Sequence, residues 1–325
     1  MHLVIPFAAA LSETATRAAG ALQLPRLERL LAQFSPLPAG APIAPGTAPL
    51  PESDEYSLSA PHEQVVAALR GWPLRDGCLP FAAALAAVDG LAPESAAPGR
   101  GWGLLTPSHW HVGTEQVSLV DPAALDLAEP ESRALHDALR PLFEEVGWGW
   151  HWGTPQRWYV THESLADTPT ASLDRVSGRN VDLWLNGSPA LSAVRRLQAE
   201  VQMLLYTHPV NDARAARGLQ PVNSFWLSGT GPAAVALRPL PAEVAVDDRL
   251  RAPALAEDWA GWAEAWAALD AGPLAALLAA TDDAPPRLTL CGERRSRTWT
   301  RAPRGFAARL LGARQRAALP VLESL

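Results

Sequence analysis

The chain has 325 residues, 48% of them hydrophobic and 19% charged, with a formal net charge of −7. That balance describes a globular protein with a sizeable core and excludes a disordered one. All 27 basic residues are Arg, so Schiff-base chemistry and Walker A phosphate loops, which need a lysine amine, are excluded as well.

"HLVIPFA" reads as a first buried strand. Pro6 interrupts it and no basic residue precedes it, so it is not expected to be a signal peptide. "LPRLERLLAQF" sets Leu24, Leu27, Leu30, Leu31 and Phe34 on one helical face. Residues 35–52 hold six Pro and two Gly and predict a surface loop. "SAPHEQVVAALRG" predicts a helix capped by Ser59 and opened by Pro61, and "LPFAAALAAVDG" a second helix. "GWGLLTP" and "SHWHVGTEQVSLVDP" predict strands. The amphipathic helix "ESRALHDALRPLFEEVG" follows, then "WGWHWGTPQRWYVT". There Trp148, Trp150 and Trp152 share one strand face, and "GTP" turns into a return strand.

"SPALSAVRRLQAEVQMLLY" predicts a long helix with Ser188 as cap and Pro189 at its start, ended by Pro209. "VNSFWLSG" is a strand running into "GTGP", which taken alone is a turn. Trp259, Trp262 and Trp266 form a helical stripe, suited to a core or to a homodimer face. "RLTLCG" reads as a closing strand. Strands and helices alternate, which predicts an α/β body with an inserted α+β portion.

Anion recognition must use Arg forks, His, backbone N–H groups or a metal. Arg157 in "PQRWYV" and Arg179 in "SGRNVD" stand where a guanidinium meets a carboxylate or phosphate, or forms an internal salt bridge. "HWH" puts His109 and His111 on one side of a strand, a geometry that shares a metal if Glu115, Asp121 or His151 adds a third ligand. Ser53, Ser57 and Ser59 lie near Asp54 and His62, but no nucleophile elbow surrounds them. Residues 287–325 carry nine Arg against Glu293 and Glu323, a formal +7, although no nucleic-acid-binding motif accompanies them. Cys78 and Cys291 imply no disulfide framework, so a cytoplasmic location is expected. No apolar run reaches the roughly 18 residues of a membrane span, so no membrane partner is expected.

"HPVNDARAARGLQPVNSFWLSGTG", residues 208–231, resembles a segment of the archaeal-type cofactor-independent phosphoglycerate mutases. His208, Pro209, Asn211, Arg214, Gly218, Asn223, Gly229 and Gly231 match the family pattern, while Ser228 stands where those enzymes usually have Arg. "LPRLERLLAQ", "PESDEYSLSAPHE" and "GTPQRWYV" are similar to three further mutase segments, the second around the nucleophilic Ser. The whole chain also resembles a proteobacterial family labelled RpfE-type regulatory proteins.

The resemblance implies an alkaline-phosphatase-like sheet flanked by helices, from 1–90 and 232–325, with an inserted α+β substrate-type domain at 91–231. It further implies a transiently phosphorylated Ser (Ser53, Ser57 or Ser59) and two divalent metals, Mn or Zn. The chain departs from the pattern at both ends. Val4-Ile5-Pro6-Phe7 replaces the family's Val-Leu-Asp-Gly, and no His follows His208. The expectation is therefore a degenerate mutase-like protein without a metal cofactor. It would hold a small phosphorylated or carboxylated metabolite through Arg157, Arg179, His208, Asn211, Arg214 and Asn223. The alternatives are an active phosphomutase or phosphatase with metal at His109, His111 and His151, and a nucleic-acid binder through the Arg-rich end.

Overall fold

A computed structural model describes residues 1–92, 99–185, 191–235, 238–280, 285–301 and 317–325. Ser188, Pro189, Asp282, Asp283 and part of the Arg-rich segment lie outside the described residues. In chain order the described strands are β1 (His2–Ile5), β2 (Phe34–Pro36), β3 (Gly101–Ser108), β4 (Trp110–Val112), β5 (Val117–Leu119), β6 (Gly149–Thr154), β7 (Arg157–His162), β8 (Ser224–Pro232), β9 (Val244–Val246), β10 (Arg287–Cys291) and β11 (Ser296–Arg301). The fold is mixed α/β, with sheets flanked by helices, and contacts divide it into two units.

The first unit spans residues 1–56, 60–71 and 239–325. Its sheet has the order β2-β11-β10-β1-β9, with β1 parallel to both neighbours and β11 antiparallel to β10 and β2. "RLTLCG" is thus an inner strand, not a closing one, because β11 continues the sheet beyond it.

Side chains alternate across this sheet. On one face Leu3, Ile5, Leu288, Leu290 and Trp299 join the helices α1 (Glu13–Gly20), α2 (Pro25–Gln33) and, later in the chain, the helix Trp259–Leu269 in a single core. Trp262 and Trp266 are fully buried there, so their stripe is core rather than a dimer face. The start of α2 is closed by buried Asp270, which accepts from the N–H groups of Arg26 and Leu27. On the opposite face stand His2, Thr289 and Thr298, and α3 (Pro61–Leu69) packs against β11.

The second unit spans residues 57–59 and 72–238. It holds an antiparallel sheet of order β6-β7-β3-β8 and the hairpin β4–β5. The one strand expected over "SHWHVGTEQVSLVDP" is therefore that hairpin, turned at Gly113. The helices α5 (Glu129–Glu145) and α7 (Ser192–Tyr206), between which the short α6 (Leu173–Val176) falls in the chain, lay Leu135, Leu139, Phe143, Leu197 and Val201 on Trp150, Trp158 and Phe225 of the sheet.

The helix α4 (Phe81–Val88) approaches β8 so closely that a Cβ at Gly229 would meet the Ala82 N at 2.9 Å, and one at Gly231 the Pro80 ring at 2.9 Å. "GTG" is therefore a length of strand made bare for helix packing, not a turn or a nucleotide loop. This packing also places the first unit boundary at 71/72 where 90/91 was expected, and the second at 238/239 rather than 231/232.

Candidate functional site

The segment that resembles the mutases builds a clamp. His208 caps α8 (Pro209–Ala215), its Nδ1 accepting from the Val210 N–H at 3.3 Å. Burial holds this imidazole below its ordinary pKa. Asn211 is buried; its amide donates to the carbonyls of Leu205 and Val222, both at 2.8 Å, and accepts from the Val222 N–H at 2.9 Å. Arg214 is 0% exposed and donates to Gln220 O at 2.9 Å, to Leu125 O, and to Glu131 at 2.6 Å. Asn223 pairs with both backbone groups of Trp110, at 2.7 and 2.9 Å. The expectation that Asn211, Arg214 and Asn223 line a ligand pocket is corrected. Their polar groups are bound to protein, and they tie α7, α8 and the loop before β8 together.

Arg157 meets a carboxylate of the protein itself. Its guanidinium forks onto Asp89 at 2.6 and 2.8 Å, and the Tyr159 hydroxyl donates to the same carboxylate at 2.6 Å. Burial alone would raise the Asp89 pKa, yet the bonds from Arg157 and Tyr159 hold it below the usual carboxylate range. The internal salt bridge is the arrangement found. Asp89→Asn is expected to lower stability by about 2 kcal/mol, the order of a charged hydrogen-bond pair with one half-exposed member. Urea unfolding of the variant checks this. Arg179 is half-buried beside the β4–β5 hairpin, where its backbone bonds Leu119.

The remaining candidates stand apart. Ser59 is buried, and its Oγ accepts from the Gly77 N–H at 2.9 Å. The helix α3 is instead started by Ala60, whose N–H is taken by Glu63 at 2.8 Å. Ser57 is half-buried. Ser53 belongs to the first unit, and its hydroxyl donates to Arg294 O at 2.8 Å.

The His109 and His111 rings are 6.5 Å apart, with His109 Nδ1 bonded to Pro221 O, whereas His151 stacks on Trp102. No group of three or more His, Cys, Asp or Glu among the described residues is arranged to hold a metal ion.

The first unit carries a cleft of about 600 Å³. The Pro-rich loop 36–53 forms one wall; residues 295–298 and Gln64 of α3 form the rest. Arg295 and Arg297 are exposed residues of that lining. Arg297 reaches Ser324 Oγ at 3.2 Å, and neither guanidinium pairs with a carboxylate among the described residues. Glu52 is the single carboxylate among the described lining residues, and Ser53 lies on the wall. Such a cavity is of ligand size. The sequence flagged Arg295 and Arg297 only as part of the Arg-rich segment 287–325, and it gave no signal for Gln64.

No protein-family model matches this chain, and no curated protein is similar to it. Among solved structures the chain is similar to the cofactor-independent phosphoglycerate mutase of Thermoplasma acidophilum, with 14% identity over 94% of this chain and 90% of that one and a TM-score of 0.37. It is also similar to the PH0037 protein of Pyrococcus horikoshii, with 11% identity, coverage of 93% and 87%, and a TM-score of 0.44. Scores this low carry no weight for the site, which rests on the chain's own residues. No described helix is long and apolar enough to cross a membrane.

Proposed function

We propose that this chain is a degenerate phosphoglycerate-mutase-like protein that binds a small phosphorylated or carboxylated molecule in a regulatory role, without metal-dependent catalysis. One observation carries the reading: two exposed Arg residues, Arg295 and Arg297, are among those that line a cleft of about 600 Å³, and they pair with no carboxylate among the described residues. Cations held in a concave surface attract oxyanions, and Arg does so in a forked geometry. The sequence adds support, because a run devoid of His after His208 offers no imidazole for a late metal cluster. Ser53 Oγ is engaged with a backbone carbonyl, and no residue seen to bond it is a base that would take its proton.

The test is calorimetry with 3-phosphoglycerate on the full chain, with and without a chelator. Binding should be unaffected by the chelator, and Arg295→Gln/Arg297→Gln should weaken it at least tenfold. Affinity that vanishes with chelator, together with stoichiometric Mn or Zn in the purified protein, would refute the proposal.

A further inference from the structure

The strand β2 pairs with β11 only at Trp299, Thr300 and Arg301, and the uncovered start of β11 opens onto the cleft. In an antiparallel ladder successive residues turn their N–H and C=O groups to alternate sides. Arg295 O accepts from the Gly292 N–H at 3.0 Å, and the Arg301 N–H donates to Pro286 O at 3.2 Å, so the odd-numbered residues face β10. Thr298 O accepts from the Leu37 N–H at 2.8 Å, so the even-numbered residues face β2. Ser296 is the next of these. Three places on from the Trp299–Pro36 pair, its partner in β2 would be Ala39. The chain has turned away by then: Pro38 O accepts from the Ala41 N–H at 3.1 Å, and Gly40 takes a φ of 73°. No described group bonds the N–H or C=O of Ser296.

The lining of the cleft fits a slot along this edge. Ser296 and Thr298 belong to one face of β11, while Arg295 and Arg297 alternate to the other, and all four line it. The slot ends at Arg294, whose carbonyl is taken by the Ser53 hydroxyl.

An open N–H beside an open C=O on one residue accepts a second residue in extended conformation, as when a peptide adds a strand to a sheet. That residue donates its N–H to Ser296 O and accepts from the Ser296 N–H. In antiparallel pairing, which continues the direction of β2, its two neighbours stand opposite Arg297 and Arg295. Side chains so placed lie with Cβ atoms about 4.5–5.5 Å apart, where opposite charges stabilise the pair. Two Arg outweigh Glu52, the one carboxylate among the described lining residues, so the complementary neighbours are acidic.

We propose that the β11 edge at Ser296 binds a short extended peptide, with acidic residues on either side of the one that pairs with Ser296. The inference rests on the anion-binding reading of the cleft and takes its carboxylated branch, the carboxylates being carried by a peptide.

The test is calorimetry on the full chain with acetyl-Glu-Ala-Glu-amide. Three further probes divide the claim: the same peptide N-methylated at Ala, acetyl-Gln-Ala-Gln-amide, and 3-phosphoglycerate. N-methylation removes the N–H aimed at Ser296 O and should weaken binding tenfold or more, and so should loss of both carboxylates. Ser296→Pro should weaken the acidic peptide by a similar factor. It deletes the outward N–H and no bond to β10, a position where an edge strand tolerates proline. If that variant fails to fold, the N-methylated peptide gives the answer alone.

Parent and N-methylated peptides binding within twofold of each other would overturn the edge pairing. Binding of 3-phosphoglycerate without any peptide would overturn it too and leave the anion cleft standing. Binding of neither would overturn both. A dimer of the chain that dissociates in Ser296→Pro would assign the edge to a second copy and overturn the peptide.

Discussion

Arg214→Met is expected to lower the free energy of unfolding by about 3 to 5 kcal/mol, the cost of breaking a buried ion pair from one side. Methionine fills much of the same volume but donates nothing. Three acceptors then lose their partner: Gln220 O, Leu125 O and Glu131. Glu131 keeps Arg217, so it is not left without a cation. The carbonyl of buried Leu125 has no such substitute among the bonds described, and an unmet buried acceptor accounts for a large part of the loss, whereas Gln220 is exposed and its carbonyl can turn to water. Urea unfolding followed by tryptophan fluorescence measures it. A loss under 1 kcal/mol would show that the guanidinium is not the tie between α5, α8 and the loop before β8.

Acidification below pH 6.5 is expected to destabilise the protein through His2, by about 3 kcal/mol by the time pH reaches 4. Burial is the first cause, with Arg287 and the amino terminus adding to it, and together they push the His2 pKa down to about 4 from 6.5. Because the folded pKa is depressed, the unfolded chain binds the proton first. Stability is intact above the unfolded pKa of 6.5, falls between there and about 4, and is flat below. His136, His151 and His208 are lowered in the same direction by burial, so acid weakens the wild type through several groups. The informative readout is therefore a difference. His2→Gln keeps a hydrogen-bonding group for Thr289 and cannot titrate, so its unfolding free energy should fall less between pH 7 and pH 4. Parallel curves for the two proteins would exclude a neutral buried imidazole at this position.

Periodicity carried much of the fold. Leu27, Leu30 and Leu31 recur at helical spacing and are buried on one face of α2. His2–Ile5 reads as a strand because parallel strands covered on both faces need a continuous apolar run. The stretch 208–231 stood out because cap, amide, guanidinium and glycine recur there at close spacing, and each proves to be structurally engaged. Sequence similarity could not tell whether those polar groups faced a ligand or the backbone. That depends on which carbonyls the fold brings within about 3 Å. Arg157 carried the same ambiguity until Asp89, 68 positions away, took its fork.

By itself the sequence determined the secondary-structure pattern, the absence of lysine chemistry and the lack of imidazoles beyond His208. Hydrophobic period and residue type are local properties, legible one segment at a time. Tertiary structure alone decided where the cleft lies, because residues 36–53, 64 and 295–298 meet only once β2 and α3 have packed against β11. It also decided which polar side chains were satisfied and which, like the buried Nδ1 of His2, were left without a partner. Hydrogen-bond satisfaction is a property of neighbours in space, and the chain order does not contain it.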